Sequence, residues 1–135
     1  MNITLVSSCI LIKKNKFLTT ERPEGKPFGH YWEFPGGKLE GTESFCDAIV
    51  RELYEELDIR VKKVNLNVID NISHSYQRNH TTVMAVFVLK KWSGVISSKE
   101  GQQMKWLAGS ELNKLRFLEG SKIILKKINS NLYDF

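Results

Sequence analysis

The sequence feature that most constrains the fold is one amphipathic helix near the middle of the chain. Its apolar residues recur at i, i+4, i+7 and i+11, the spacing of a single helix face, and they are Cys46, Val50, Leu53 and Leu57. The pattern predicts a helix that begins at Thr42 or Glu43 and ends at about Leu57. Because only one face is apolar, this helix has to pack against a second layer of structure.

Segments rich in β-branched and aromatic residues flank this helix and predict strands. The predicted strands are Ile3–Ile12, Phe17–Thr20, Trp32–Phe34, Ile59–Ile72, Thr81–Leu89 and Lys105–Leu107, with a further strand ending at Trp92–Gly94. Ser110–Leu115 predicts a helical turn and Ser121–Ile128 a C-terminal helix. The order β-β-α-β-β-β-α predicts an α/β (α+β) protein in which helices pack on a mixed sheet.

Glycine, proline and polar residues mark the predicted connections between these elements. We expect Glu21–Tyr31 to be a loop and Pro35–Gly37 to break the preceding strand. His74, Tyr76 and His80 lie in a polar stretch, which predicts an exposed loop without chemistry of its own.

Length and composition predict one domain over residues 1–135, without need of disulfides. No apolar run approaches the roughly 18 residues that span a bilayer, so we expect no membrane association. Ile3–Ile12 lacks the basic flank and the cleavage site of a signal peptide. Cys9 and Cys46 lie in apolar patterns typical of buried, reduced thiols. These observations predict a cytoplasmic protein.

The charge of the chain is unevenly distributed. Seven acids and one base lie between Glu40 and Asp58, a net charge of −6 in a chain whose total is +5, so the remainder carries +11. An acidic cluster inside a basic protein favours a cation site beside a surface that attracts anions, such as phosphates.

Three acids of this cluster share one stripe of the predicted helix. Glu52, Glu55 and Glu56 are spaced i, i+3 and i+4, within an arc of roughly 100°. Arg51 is the one base nearby in sequence, and it lies on the adjacent surface, so we expect nothing local to neutralise the stripe. The spacing suits a divalent cation, which takes carboxylate oxygens, but by itself it is more typical of a solvated acidic face.

The residues around the stripe resemble a known signature. Gly37 is followed after five residues by Glu43, and after seven more by Arg51–Ile59, with sequence RELYEELDI. This resembles the Nudix hydrolase pattern G-x5-E-x7-R-E-U-x-E-E-x-G-U, where U is a bulky aliphatic residue. One position departs from it, because Asp58 stands where the family has glycine. Asp tolerates the left-handed conformation that such a glycine adopts, so we expect a modest loss of stability and intact chemistry.

Segments outside the signature resemble the MutT-type branch of this family. They are Arg22-Pro23, Trp32–Lys38 (WEFPGGK), Trp92–Gly94, Glu100–Gln102 and Lys105-Trp106. The resemblance implies a mixed β-sheet sandwiched between helices, an α/β/α arrangement. It also implies an enzyme that hydrolyses a nucleoside diphosphate linked to another group.

The resemblance further implies a site for Mg²⁺ or Mn²⁺. The implied ligands are the carboxylates of Glu52, Glu55, Glu56 and Glu100, and the carbonyl of Gly36. Glu56 is the first choice as principal ligand, whereas Glu52 and Glu100 can each serve as a ligand or as the base that deprotonates water. Arg51 and Glu43 are expected to hold the glutamates in place, or to form an ordinary surface ion pair.

Substrate contacts are expected from Arg22 and Lys38 toward phosphate, and from Gly37 through a tight backbone turn. Phe34, or Phe117, is a candidate for stacking on the base, although core packing is the commoner role of Phe. The register places Glu119 where MutT has an asparagine that reads the base. Glu119 can accept hydrogen bonds from guanine or simply stabilise the start of the C-terminal helix.

The function predicted from this resemblance is conversion of a (d)NTP and water to (d)NMP and pyrophosphate, sanitising oxidised nucleotides such as 8-oxo-dGTP. The alternatives within the fold are CTP or other pyrimidine triphosphates, dinucleoside polyphosphates and capped RNA 5′ ends. A non-catalytic nucleic-acid-binding domain is a remote alternative, because the carboxylates are intact. We expect a nucleotide as the partner, no stable nucleic-acid complex, and a monomer or weak dimer.

Overall fold

A computed structural model describes residues 2–135 of the chain, apart from the side chain of Tyr76. The strands of this part are β1 Asn2–Lys13, β2 Lys16–Glu21, β3 Trp32–Glu33, β4 Gly36–Lys38, β5 Leu66–Gln77, β6 His80–Leu89 and β7 Met104–Leu107. The helices are α1 Phe45–Leu57 and α2 Glu119–Asn129, with 3-10 helices over Lys63–Asn65 and Gly109–Lys114.

The sheet is mixed and centres on β1. Over Asn2–Leu11, β1 pairs in parallel with β6, and β5 extends this side as an antiparallel neighbour of β6. Near its end β1 turns into β2, which pairs antiparallel with β1, β3 and β7. The short β4 pairs antiparallel with the middle of β1, which brings its glycines onto the sheet.

Two apolar cores lie on opposite sides of this sheet. Residues from α1, including Ile49, Leu53 and Leu57, pack with Leu11 and Phe87 on one side. The other core holds the buried face of α2 and alternate residues of β5 and β6, among them Ile124, Ile128, Ile72, Met84 and Val86. Because side chains along a strand alternate in direction, β6 supplies both cores. The prediction of a mixed sheet between helices is confirmed.

Helix α1 begins later than the sequence pattern predicted. Ser44 is its N-cap, and Ser44 and Asp47 form a reciprocal capping box, so Thr42 and Glu43 precede the helix. The buried face is centred on Ile49, Leu53 and Leu57 with Ala48, whereas Cys46 and Val50 lie half-buried at its edge. The predicted face was therefore rotated from the observed one. Cys9 is fully buried as expected, and both cysteines are free thiols.

Asp58 ends α1 in the left-handed conformation, with φ 59° and ψ 35°. Its N–H donates to the carbonyl of Tyr54 at 3.1 Å, which closes the last turn. The expectation that Asp takes the conformation of the family's glycine is confirmed.

Two predicted strands were wrong, and one strand was missed. Strand β3 ends at Glu33, before Pro35 as expected, but the chain becomes extended again over Gly36–Lys38, which pairs with β1 as β4. Strand β5 begins at Leu66 rather than Ile59, since a 3-10 helix intervenes, and the segment near Trp92–Gly94 contributes only an isolated bridge from Arg60 to Ser93. The predicted loop at His74 and His80 was also wrong, because these residues lie within β5 and β6. The side chain of Tyr76 lies outside the described residues.

Among the described residues, no helix has the length and apolar character needed to cross a membrane.

Candidate active site

Helix α1 presents its glutamates to strand β4. Glu52 is mostly buried, with 15% of its side chain exposed, whereas Glu55 is 47% exposed. Glu52 and Glu56 lie within hydrogen-bonding distance of each other. Burial raises the pKa of Glu52. Burial also raises the pKa of Glu56, and the nearby carboxylates of Glu52, Glu33 and Glu100 raise it further.

Arg51 neutralises much of this acidic stripe, so the expectation that nothing local does so was wrong. Its Nε and Nη2 donate to both carboxylate oxygens of Glu43, at 2.7 and 2.9 Å. Its Nη1 donates to Glu52 at 2.9 Å and to Glu55 at 3.1 Å, and Nη2 also donates to the carbonyl of Lys38 at 3.0 Å. The guanidinium can reach these groups because its planar fork carries five donors. The hydrogen bond from Arg51 lowers the pKa of Glu43.

The donor set suits a hard divalent cation. Carboxylate oxygens are the ligands that Mg²⁺ prefers, and the adjacent carboxylates of Glu52 and Glu56 repel unless a proton or a cation lies between them. As they stand, no three His, Cys, Asp or Glu side chains within the described residues are arranged to hold a metal ion. Glu55 in particular is engaged by Arg51, so its use as a ligand would require that contact to give way.

Glu100 approaches the carboxylates from another part of the chain. It is an exposed residue of the loop over residues 97–102, which crosses the C-terminal end of α1. Its charge contributes to the raised pKa of Glu56, and the backbone N of its neighbour Lys99 donates to the Glu56 carbonyl at 3.0 Å. The structure therefore brings Glu100 to the acidic end of the site.

A cleft of about 540 Å³ lies beside β4, and none of Glu52, Glu55, Glu56 and Glu100 is among the residues that line it. The sequence-predicted residues that line it are Arg22, Phe34, Gly36, Gly37, Lys38 and Glu119. The cleft meets the acidic site at β4, where a methyl group added to Gly37 would collide with the carboxylate of Glu52. A methyl group on Gly36 would collide with the backbone of Ser7 on β1. Position 36 therefore requires glycine because the backbone of β1 lies against it, whereas a side chain at position 37 would displace the Glu52 carboxylate.

The predicted substrate-binding residues differ in whether their side chains already have partners within the protein and in how exposed they are. Arg22 is held by the carbonyl of Pro27 at 2.8 Å and by Glu33 at 3.3 Å. Phe34 lines the cleft but is 2% exposed, and its ring stacks on buried Phe117 with centroids 5.6 Å apart. Phe117 does not line the cleft, so core packing accounts for it.

The location of Glu119 is compatible with both roles considered for it, the contact with the base and the stabilisation of the helix start. It is the first residue of α2 and it lines the cleft. Its side chain is 66% exposed and pairs with Lys122 at 3.2 Å.

Sequence reasoning missed several residues of the cleft wall, notably His74, His80 and Glu33. His80 lies 3.0 Å from the Thr4 hydroxyl, and His74 packs against Gly120 at the start of α2. Burial lowers the pKa of His74, while the charge of Glu119 acts in the opposite direction. Extending the alternation of β6 backwards from Met84 through Thr82 to His80 would have revealed the strand position of His80.

Comparison with known proteins gives the family. A model of the NUDIX domain matches residues 3–128. The 8-oxo-dGTP diphosphatase of Buchnera aphidicola subsp. Schizaphis graminum is 29% identical over 98% of both chains. That of Proteus vulgaris is 34% identical over 72% of this chain and 84% of its own. A CTP pyrophosphohydrolase of Escherichia coli is 30% identical over 82% and 80% of the two chains.

A solved MutT structure, from a study of the proteins of Aliivibrio salmonicida and Vibrio cholerae, superposes with a TM-score of 0.80 at 27% identity. The match covers 96% of this chain and 99% of that one. Fold, signature residues and the family match agree over nearly the whole chain, and the chain belongs to the Nudix hydrolase family.

Proposed function

We propose that this chain is a Mg²⁺-dependent nucleoside triphosphate pyrophosphohydrolase that acts on oxidised nucleotides such as 8-oxo-dGTP. The products are the nucleoside monophosphate and pyrophosphate. The observation that carries the proposal is the junction at Gly37, which lines a cleft of nucleotide size and lies directly against the Glu52 carboxylate of α1. The relatives named as 8-oxo-dGTP diphosphatases support the choice of substrate.

Glu56 and Glu52 would hold the metal, with Glu100 and Glu55 as further ligands and the carbonyl of Gly36 completing the set. When bound, Mg²⁺, or Mn²⁺ in its place, withdraws charge from the diphosphate oxygens and lowers the pKa of an attacking water. Whichever of Glu52 and Glu100 does not serve as a ligand would act as the base for the attacking water.

The chain's own residues orient the substrate around this centre. Arg22 and Lys38 line the cleft beside β4, where they can meet phosphate oxygens. The Arg51 fork fixes the direction of Glu52, and Glu43 in turn fixes Arg51. Gly36 and Gly37 let the phosphates approach the backbone closely.

Base recognition falls to the other end of the cleft. Glu119 can accept hydrogen bonds from the ring N–H and the amino group of a guanine derivative. His74 lies beside it and can donate or accept through its imidazole nitrogens. The edge of Phe34 contributes an apolar wall.

A pyrimidine triphosphate is the second candidate substrate. It is favoured by the similarity to a CTP pyrophosphohydrolase. It is also favoured by Glu119, since a carboxylate is the natural acceptor for the cytosine amino group.

We place this activity in the cytoplasm and assign it to a monomer or weak dimer that acts on free nucleotides without a stable nucleic-acid complex. The free thiols of Cys9 and Cys46 support a reducing compartment.

The decisive experiment measures pyrophosphate and orthophosphate release in Mg²⁺ from 8-oxo-dGTP, dGTP, CTP, dCTP and a dinucleoside polyphosphate. We expect pyrophosphate from 8-oxo-dGTP at a kcat/KM well above that for dGTP. Preference for CTP or dCTP would favour the second candidate, and an inactive panel would overturn the proposed function.

Glu119→Ala tests the base contact on the same panel. We expect the ranking of the triphosphates to change while the rate on the poorest substrate stays close to that of the unmodified protein. An unchanged ranking would remove Glu119 from base recognition and leave it a role only at the start of α2.

A further inference from the structure

The loop over residues 97–102 is attached to the C-terminal end of α1 by backbone hydrogen bonds. Ser97 N donates to the carbonyl of Leu57 and Lys99 N to that of Glu56, both at 3.0 Å. The last carbonyls of a helix have no partner within the helix. The loop therefore supplies hydrogen-bond partners for two of the last carbonyls of α1 and brings the backbone of Glu100 to the helix turn that bears Glu56.

One side chain of this loop, Gln102, is buried, with 9% of its surface exposed. Its Oε1 accepts hydrogen bonds from the Ser98 hydroxyl at 2.7 Å and from the backbone N of Glu100 at 3.2 Å. Its Nε2 donates to the carbonyl of Glu56 at 3.2 Å. These partners determine the orientation of the Gln102 amide. If the amide were flipped, its NH2 group would face the backbone N–H of Glu100 and its oxygen would face the carbonyl oxygen of Glu56.

Gln102 is thus a direct link between the backbones of two acidic residues that the chain separates widely. Lys99 strengthens the link, since its ammonium lies 3.6 Å from Asp58 and 4.4 Å from the ring centre of Tyr54. Without Gln102, the loop would keep its backbone hydrogen bonds to α1 and the contacts of Lys99, but the backbone N of Glu100 would lose its partner and that part of the loop would gain conformational freedom.

We propose that Gln102 is a positioning residue, which holds the Glu100 carboxylate at the reactive end of Glu56. The proposal rests on the proposed function for the role of Glu100, and it adds a residue that acts through Glu100 rather than on the substrate. Residues of this kind typically contribute 10- to 100-fold to activity.

The test compares Gln102→Met with Gln103→Met. Methionine keeps the length of glutamine and removes its hydrogen bonds, and the neighbouring Gln103 is exposed, so the second variant is a matched control. We expect Gln102→Met to lower kcat by about 10- to 100-fold with KM changed less than about threefold. It should also speed the hydrogen exchange of the Lys99 and Glu100 amides. Gln103→Met should leave all three quantities unchanged.

A double-mutant cycle with Glu100→Gln separates positioning from general destabilisation. If Gln102 acts through Glu100, the double variant has the kcat of Glu100→Gln alone. The proposal is overturned if the kcat losses of the two single variants multiply in the double variant. It is also overturned if the hydrogen-exchange rate of the Glu100 amide is unchanged in Gln102→Met. An inactive unmodified protein would instead refute the proposed function, and the exchange measurement would still decide whether Gln102 holds the loop.

Discussion

At the residue scale, Arg51 has the largest number of partners in the site. Its guanidinium joins Glu43 on the loop before α1, Glu52 and Glu55 on α1, and the backbone of β4. A lysine keeps the charge but cannot form a fork of parallel hydrogen bonds.

We expect Arg51→Lys to lower kcat by about 10- to 100-fold because Glu52 loses its fixed direction. Steady-state kinetics on the best substrate of the panel checks this. Arg60→Lys is the matched control, since Arg60 is exposed and lies beyond the C-terminal end of α1. A kcat within twofold of the unmodified protein in Arg51→Lys would reduce the Arg51 contacts to surface ion pairs.

Glu56→Gln tests the metal assignment directly. We expect a loss of about 10²- to 10³-fold in kcat, since the amide is a poor substitute for an anionic ligand. The metal-free protein should melt within a few degrees of the unmodified one, because Gln keeps the shape of the side chain. Glu24→Gln, at an exposed loop position, is the control. Retained turnover in Glu56→Gln would refute the ligand assignment.

At the element scale, the end of α1 depends on a residue in an unfavourable conformation. Asp58 has φ 59°, and an Lys99–Asp58 ion pair at 3.6 Å accompanies it. An alanine in the left-handed region is strained, whereas glycine is not.

We therefore expect Asp58→Ala to lower the free energy of unfolding by about 1 kcal/mol, and Asp58→Gly to keep it within about 0.5 kcal/mol of the original value. Urea denaturation of the three proteins measures both. Equal losses in the two variants would mean that the ion pair, not the backbone conformation, controls the end of the helix.

At the scale of the whole molecule, the carboxylate of Asp70 connects β5, α2 and the C-terminal segment through hydrogen bonds. Asp70 on β5 accepts hydrogen bonds from Lys127 of α2 at 2.6 Å and from Tyr133 of the C-terminal segment at 2.7 Å. Burial alone would raise the pKa of Asp70, but these hydrogen bonds outweigh burial and lower it below its ordinary value. The contact therefore stabilises α2, which carries Glu119 into the cleft.

We expect Asp70→Asn to lower the free energy of unfolding by about 1–2 kcal/mol at neutral pH, allowing for the partial exposure of Lys127. Since the folded pKa is depressed, this stabilisation is present above the ordinary aspartate pKa. It is lost as the pH falls through the depressed value. Unfolding curves at several pH values should therefore converge in acid. Asp134→Asn, at an exposed position in the same segment, should match the unmodified protein throughout. A difference that persists in acid would exclude the Asp70 charge as its cause.

Local patterns were enough for much of this protein. The helix periodicity, the strand composition and the spacing of Gly37, Glu43 and Arg51–Ile59 led to the fold class and to the glutamates of α1. The tolerance of Asp58 for the left-handed region also followed from residue type alone. These properties depend on residues that lie close together in the chain, so they can be predicted from the sequence.

The rest was decided by contacts between distant segments. Gly36–Lys38 becomes a strand only because β1 offers it an edge, and His74 and His80 line the cleft only because β5 and β6 extend as far as their turn. The sequence by itself determined which side chains could carry the chemistry. Only the tertiary structure decided that Arg51 neutralises them and that Gln102 links the Glu100 loop to Glu56. The physical reason is that hydrogen bonds between distant segments form after the sheet and helices pack, and they leave no periodic signal in the chain.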